Sequence, residues 1–126
     1  LVTSPWKRCY DTLAPYAEAS GVALETEPAL TEHAHAAHPK RARKVAERAV
    51  RMREVPLALC LHRPVLPTIM DVIAEHAPGK LLRSVPDRDP WLKTGEIMVI
   101  HMARRSHGKI RAVAIEKQRP VLSEGR

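Results

Sequence analysis

The stretch from 57 to 67 constrains the fold of this chain more than any other segment. Five apolar residues follow one another without interruption at 57–61, a pattern typical of a strand buried on both faces of a parallel sheet. His62 is the first polar side chain after this run, and Pro64 or Pro67 can open a following helix. The sequence therefore predicts His62 at the carboxyl end of a central strand, where open α/β sheets bind ligands. The alternative is a histidine that merely caps the strand end.

The composition indicates one domain with an aliphatic core. A chain of 126 residues is long enough for a single core of ordinary size, and it contains no Phe and only 3% aromatic residues. Its core must therefore consist of aliphatic side chains and Met, which suits helices packed on a sheet. No apolar run approaches the roughly 18 residues of a membrane span, and no signal-peptide pattern opens the sequence. We expect a soluble, cytoplasmic protein with no membrane partner.

Charge and cysteine content indicate the kind of ligand and the redox compartment that suit this chain. The net charge of +7 and the pI near 9.9 predict attraction to anions such as nucleotides, phosphates, nucleic acid or acidic lipid, without choosing among them. Cys9 and Cys60 are too few for a disulfide framework, and both lie in apolar local patterns. We expect free thiols in a reducing compartment.

The order of strand-like and helix-like segments predicts a layered α/β domain spanning 1–126. Ser4 is a suitable N-cap and Gly21 a suitable stop for a first helix. The predicted segments are a strand end at 1–3, helix 5–20, strand 22–26, loop 27–38, helix 39–54, the central strand, helix 64–77, loop 80–93, and a hairpin of strands 95–102 and 110–116 around a turn at 106–109.

Three polar residues at the ends of these elements are candidates for chemistry: Arg8, Glu32 and His62. Arg8 lies near the amino end of the first helix, where a guanidinium fork and the helix dipole together favour phosphate oxygens. Ser4 and Thr12 share its helix face at spacing i, i+4, i+8. The alternative for Arg8 is a solvated surface arginine.

These residues resemble the motifs of the histidine phosphatase, or phosphoglycerate-mutase-like, superfamily. Ser4, Arg8 and Thr12 match its Ser-Pro-x-x-Arg-x-x-x-Thr stretch. Leu-Thr-Glu at 30–32 is similar to its Leu-x-Glu, and the apolar run ending in His62 is similar to the strand that carries its second motif histidine. The resemblance covers nearly the whole chain. The segment 60–67 is similar to the phosphatase half of two-domain proteins that join a Nudix domain of the MutT type to a histidine phosphatase domain.

The resemblance implies a phosphohydrolase with a three-layer α/β/α sheet domain and a carboxyl-terminal β-hairpin, acting without a cofactor. It implies that Arg8, Ser4 and Arg63 bind phosphoryl oxygens, that His62 binds them and stabilises the transition-state charge, and that Glu32 protonates the leaving group. From the two-domain relatives, the implied substrates are nucleoside di- or triphosphates in nucleotide-pool sanitising.

The chain also departs from the family pattern. In the superfamily, the nucleophilic histidine belongs to an Arg-His-Gly motif on the first strand. Arg-His-Gly occurs nowhere in the present sequence. Arg63 stands where most of the superfamily has glycine. We therefore expect this partial domain to be inactive alone, and to need as partner either an upstream segment of the same protein or a second copy. The alternative is a non-catalytic module that binds phosphate, nucleotide or nucleic acid on a degenerate phosphatase fold.

Two other clusters contain side chains that could bind a ligand. The segment 32–38 holds a glutamate and three histidines, but no cysteine or second ligand pair accompanies them, so the sequence predicts no specific metal site. A basic stripe on the second helix is interpreted as a solvated face, because Glu47 and Glu54 interrupt it and no stacking aromatic residues accompany it. Specific nucleic-acid binding is therefore not expected. The stripe consists of Arg41, Lys44, Arg48 and Arg51.

Overall fold

The computed structural model describes residues 1–51, 55–104 and 108–120. The strands are Val2–Thr3 (β1), Glu25–Thr26 (β2), Leu59–Cys60 (β3), Ile97–Arg104 (β4) and Ile110–Gln118 (β5). The α-helices are Lys7–Ser20 (α1), Glu32–Ala37 (α2), Pro39–Arg51 (α3) and Leu66–Glu75 (α4). Short 3-10 helices cover Pro28–Leu30, Arg63–Val65 and Gly79–Ser84. The structure is mixed α/β, with a small parallel sheet and an antiparallel hairpin, which confirms the predicted α/β class.

The parallel sheet has the strand order β2-β1-β3, so β1 is its central strand. The prediction that the run at 57–61 forms a central strand buried on both faces is wrong. In the described residues β3 lies at an edge, Ala58 is exposed, and the leucines around it are half-buried. The physical reason is that burial of a strand depends on its neighbours, and β3 has a paired neighbour on one side.

On the side that faces away from β1, the backbone of β3 also has hydrogen-bonding groups. The amides of Val2 and Ser4 donate to the carbonyls of Ala58 and Cys60, both at 2.9 Å. Successive residues of a strand direct their backbone groups to alternate sides, so the groups of Leu59 face away from β1. Within the described residues, no strand pairs with that edge. An edge of this kind can accept a further strand.

Helix α1 starts later than predicted. It begins at Lys7, with Trp6 in the N-cap position, so the expectation that Ser4 caps a helix starting at residue 5 is wrong. The amide of Ser4 instead continues the pairing of β1 with β3, and its side chain turns toward His62. Gly21 ends the helix with φ of 76°, in the left-handed region that glycine favours, as predicted.

The predicted loop at 27–38 is wrong, because most of it is helical. Thr31 caps α2: its hydroxyl oxygen accepts from the Ala34 amide at 3.0 Å and donates to the Pro28 carbonyl at 3.0 Å. This cap fixes Glu32 at the first position of the helix. The position of Glu32 is therefore set by a local hydrogen-bond arrangement.

The core lies where α3, α4 and the hairpin meet the sheet. Leu30, Val65 and Val72 are fully buried within it. The predicted hairpin is confirmed, and the amide of Ala112 on β5 donates to the His76 carbonyl at 2.8 Å, which fastens the hairpin to the end of α4. The predicted end of the second helix at 54 and most of the predicted turn at 106–109 lie outside the described residues. Among the described helices, none has the length and apolar character to cross a membrane.

Candidate functional site

The sheet order creates a crevice at the carboxyl ends of β1 and β3. From β1 the chain crosses to β2 on one side, and it later returns to β3 on the other side of β1. At such a reversal the segments leaving neighbouring strands diverge, and open α/β sheets bind ligands in the space between them. Ser4 follows β1 directly, and His62 comes two residues after the end of β3. The topology therefore brings both residues to one crevice.

A hydrogen bond joins the two residues. The Ser4 hydroxyl oxygen and His62 Nε2 lie 2.9 Å apart, and both side chains are buried. The Trp6 amide donates to the same hydroxyl oxygen at 3.3 Å. Because Ser4 Oγ already accepts this bond, it is free to donate its own proton to the imidazole. These contacts hold the imidazole ring of His62 in a fixed orientation.

Cys9 packs against the same imidazole. Its sulfur lies 3.7 Å from both ring nitrogens of His62. Burial, together with the neighbouring Cys60 thiol, raises the pKa of Cys9 to about 12. Both cysteines are free thiols in the structure. Cys9 is therefore a neutral thiol at physiological pH and fills space behind His62, while a nucleophilic role would need the thiolate.

Arg8 and Glu32 lie on the solvent side of the crevice. Arg8 Nη2 and Glu32 Oε2 are 4.0 Å apart, with 84% of the Arg8 side chain and 34% of the Glu32 side chain exposed. Both charges act on His62. Burial lowers the pKa of His62 most, Glu32 opposes this effect, and Arg8 adds to it. His62 is consequently a neutral imidazole at pH 7.

Two other predicted residues point elsewhere. The Arg63 side chain is 62% exposed, and its Nε lies 3.9 Å from the Asp89 carboxylate. The Thr12 hydroxyl donates to the Arg8 carbonyl at 2.6 Å within α1. The structure thus brings Ser4, Arg8, Glu32 and His62 together, whereas Arg63 contacts the loop that follows the third 3-10 helix. The role of Arg63 as a phosphate ligand stays a prediction.

Sequence analysis missed Trp6 as a neighbour of the site. Trp6 precedes α1 and occupies its N-cap position. Its ring lies 5.0 Å from the His62 ring, centroid to centroid, and 40% of the residue is exposed. The available signal was its place between Ser4 and Arg8, inside the stretch that carries the phosphate-binding candidates.

The histidines of the segment 32–38 do not converge in the structure. His35 Nε2 is hydrogen-bonded to the Thr68 hydroxyl at 2.7 Å, while His33 and His38 are exposed. Over residues 1–51, 55–104 and 108–120, no three His, Cys, Asp or Glu side chains form a group able to hold a metal ion.

No family model matches the sequence, and no curated protein matches it either. The side chains of the crevice themselves indicate what it can bind. The guanidinium and the buried imidazole offer donors for the oxygens of an anion, the buried hydroxyl orients the imidazole, and a partly exposed carboxylate stands at the entrance. Such a set suits a tetrahedral oxyanion such as a phosphoryl group.

Proposed function

We propose that this chain is the larger, carboxyl-terminal part of a histidine phosphatase domain, and that it hydrolyses phosphorylated nucleotides once a nucleophilic histidine is supplied. The observation that carries the proposal is the meeting of Ser4, Arg8, Glu32 and His62 at one crevice. They come from three separate places in the sequence, each of which resembles a motif of that superfamily.

Each residue has a definite role in the proposed reaction. The Arg8 guanidinium and the His62 imidazole donate to phosphoryl oxygens and stabilise the charge that develops on them. Ser4 orients the imidazole through the 2.9 Å hydrogen bond. Glu32, in its protonated form, gives its proton to the leaving oxygen as the bond from phosphorus to that oxygen breaks. The phosphoryl group passes to the supplied histidine, and water then releases it as phosphate.

The free edge of β3 is the proposed location of the missing nucleophile. A strand paired there would be parallel to β3 and would end at the same crevice as His62. It would also cover the half-buried leucines of the apolar run. Burying this surface favours the pairing by about 25 cal/mol for each Å² of apolar area removed from water. A segment carrying Arg-His-Gly at the end of such a strand would complete the site.

The nucleotide assignment has one supporting observation beyond the resemblance. Trp6 and Tyr10 are both exposed, at 40% and 41%, and Trp6 lies beside His62. Aromatic faces of this kind stack on nucleobases. They offer a surface for the organic part of the substrate while the phosphate occupies the crevice.

A second candidate function is a non-catalytic phosphate- or nucleotide-binding module. The observation in its favour is that the Glu32 carboxylate lies 4.0 Å from the Arg8 guanidinium, where it can orient Arg8 for a ligand without taking part in a reaction. In that case the same crevice would bind a phosphorylated ligand and release it unchanged.

The proposal is tested by adding the missing strand. An apolar strand of about six residues followed by Arg-His-Gly is joined to the amino terminus through a flexible linker. We expect phosphatase activity toward a phosphomonoester to rise well above that of the original chain, because the added histidine completes the set of reacting groups. Release of inorganic phosphate is the measurement.

The matched control is the same fusion with Asn in place of the added histidine, which should stay at background. Backbone NMR signals of Leu59 and Leu61 report whether the strand has paired. If they report pairing and no activity appears, the chain is a binding module. If they report no pairing, the free edge is not the place where the nucleophile enters.

A further inference from the structure

A run of basic side chains extends along the solvent-facing side of α3. Four of them line one shallow groove and are all exposed, while Ala42 and Val45 on the opposite side of the helix are buried in the core. The four are Arg41, Lys44, Arg48 and Arg51.

The run continues onto the hairpin. Arg51 also lines a second groove, together with Arg104, Lys109 and Arg111. The Arg104 guanidinium donates to the Gly108 carbonyl at 2.7 Å, which fixes it across the end of the hairpin. Because Arg51 belongs to both grooves, the two basic surfaces form one continuous track. We call these seven residues the basic track.

The carboxylates beside the track offset only part of its charge. Of the residues that the structure describes, three carboxylates line the two grooves: Glu27, Glu47 and Glu75. Arg43, which is not part of the track, lies 3.5 Å from Glu47 and hydrogen-bonds Glu75. This hydrogen bond lowers the pKa of Glu75, so the pair is ionised and cancels its own charge. Glu27 and Glu47 then remain against seven basic side chains, so the track has an excess of positive charge.

The dimensions of the track fit a nucleic-acid backbone. From Arg41 to Arg51 the helix advances about 15 Å at about 1.5 Å per residue. Duplex DNA carries one negative charge per roughly 1.7 Å of its axis, so several phosphates lie within this length. Among the described residues, neither groove is lined by Trp or Tyr, and the chain contains no Phe, so this part of the track has no aromatic platform for stacked bases. Contacts to phosphate alone suit a duplex better than a single strand.

We propose that the basic track binds the phosphate backbone of duplex DNA without recognising its sequence. The track shares no residue with the crevice of Ser4, Arg8, Glu32 and His62, so this proposal is independent of the phosphatase proposal. In the structure, three residues of the hairpin extend the basic stripe that was predicted on one helix. The basic surface is therefore not confined to one face of a single helix.

The test is the salt dependence of binding to a fluorescent duplex of about 20 base pairs. Each phosphate contact contributes a slope of about −0.9 to the plot of log affinity against log salt concentration. The variant Arg48→Ala/Arg51→Ala/Lys109→Ala should flatten that slope by about 2 to 3 and weaken binding at least tenfold at about 50 mM salt. The matched control is Lys80→Ala/Arg83→Ala/Lys93→Ala, which removes the same charge elsewhere. It should change affinity by less than about threefold and leave the slope unchanged.

Four results would overturn the proposal. Equal weakening by both triple variants would mean that net charge alone attracts DNA. No binding by the unaltered chain at about 50 mM salt would mean that the track does not bind a duplex. Tighter binding to a single strand of the same length would contradict the choice of a duplex. A preference of more than tenfold between two unrelated sequences would contradict binding through phosphate alone.

Discussion

Leu30→Ala is expected to lower the free energy of unfolding by about 2 to 5 kcal/mol. Leu30 has 0% of its surface exposed and lies in the 3-10 helix Pro28–Leu30, which contacts α3 and α2. Removing three carbon atoms leaves a cavity that the packed helices can fill only in part. Domains of this size have a total stability of about 5 to 15 kcal/mol, so the loss is a large fraction of it. Urea unfolding followed by circular dichroism measures the difference.

The matched control is Leu82→Ala. Leu82 is 47% exposed, so its truncation should change the free energy of unfolding by no more than about 0.5 kcal/mol. A loss below about 1 kcal/mol for Leu30→Ala would mean that the segment before Glu32 is not packed against the core. The position of Glu32 beside Arg8 would then be supported by the Thr31 cap alone.

Glu32→Gln is expected to slow the completed enzyme by about 10² to 10⁴ fold, the usual contribution of a general acid, with an alkyl phosphate as substrate. The amide cannot give a proton to the leaving alkoxide. With 4-nitrophenyl phosphate the loss should be much smaller, because 4-nitrophenolate is a good leaving group without protonation. Steady-state kcat values for the two substrates measure the contrast. The protein for this experiment is the chain fused to the Arg-His-Gly strand.

Glu18→Gln is the matched control, since Glu18 is an exposed carboxylate on α1. It should leave both rates unchanged. Equal losses with the two substrates for Glu32→Gln would contradict proton donation by Glu32. That outcome would leave its carboxylate as a partner that orients Arg8.

Elements that depend on local chemistry were predicted well from the sequence. Gly21 ends the first helix because a residue there must adopt the left-handed conformation. Pro39 starts the second long helix because its fixed φ suits a first turn. The hairpin follows from two strand-like runs separated by a short polar turn. In each case a few neighbouring residues determine the outcome.

The incorrect predictions concern a strand whose neighbours are distant in sequence and a helix that is very short. The run at 57–61 was predicted to be central because it is uniformly apolar. The number of strands that pair with it, however, depends on residues elsewhere in the chain. Helix α2 has six residues, too few for a hydrophobic period to emerge. Its signal was the cap at Thr31, with Glu32 directly after it.

The candidate site was predictable in part. The resemblance identified Ser4, Arg8, Glu32 and His62, and sheet order explains why residues so far apart in sequence meet. The direction of Arg63 was not predictable, because it depends on Asp89 in a loop whose course the sequence pattern does not determine.

The most direct test of the proposed phosphate site is a pH titration of the His62 ring by NMR, with and without inorganic phosphate. Without phosphate its pKa should lie below the ordinary value of 6.5, because burial disfavours the charged imidazole. Bound phosphate adds negative charge beside the ring, so the pKa should rise. By linkage, a given ionic form of phosphate should bind more tightly to the protonated imidazole than to the neutral one.

Arg8→Ala should weaken phosphate binding by about tenfold or more, since a hydrogen bond to a charged group contributes about 1.5 to 3 kcal/mol. Arg83→Ala, which removes an exposed arginine from the third 3-10 helix, should leave the binding unchanged. The predicted result is that phosphate raises the pKa of His62 and that Arg8→Ala makes this rise smaller at a given phosphate concentration. A His62 pKa that does not change at saturating phosphate would contradict the assignment of this crevice as a phosphate site.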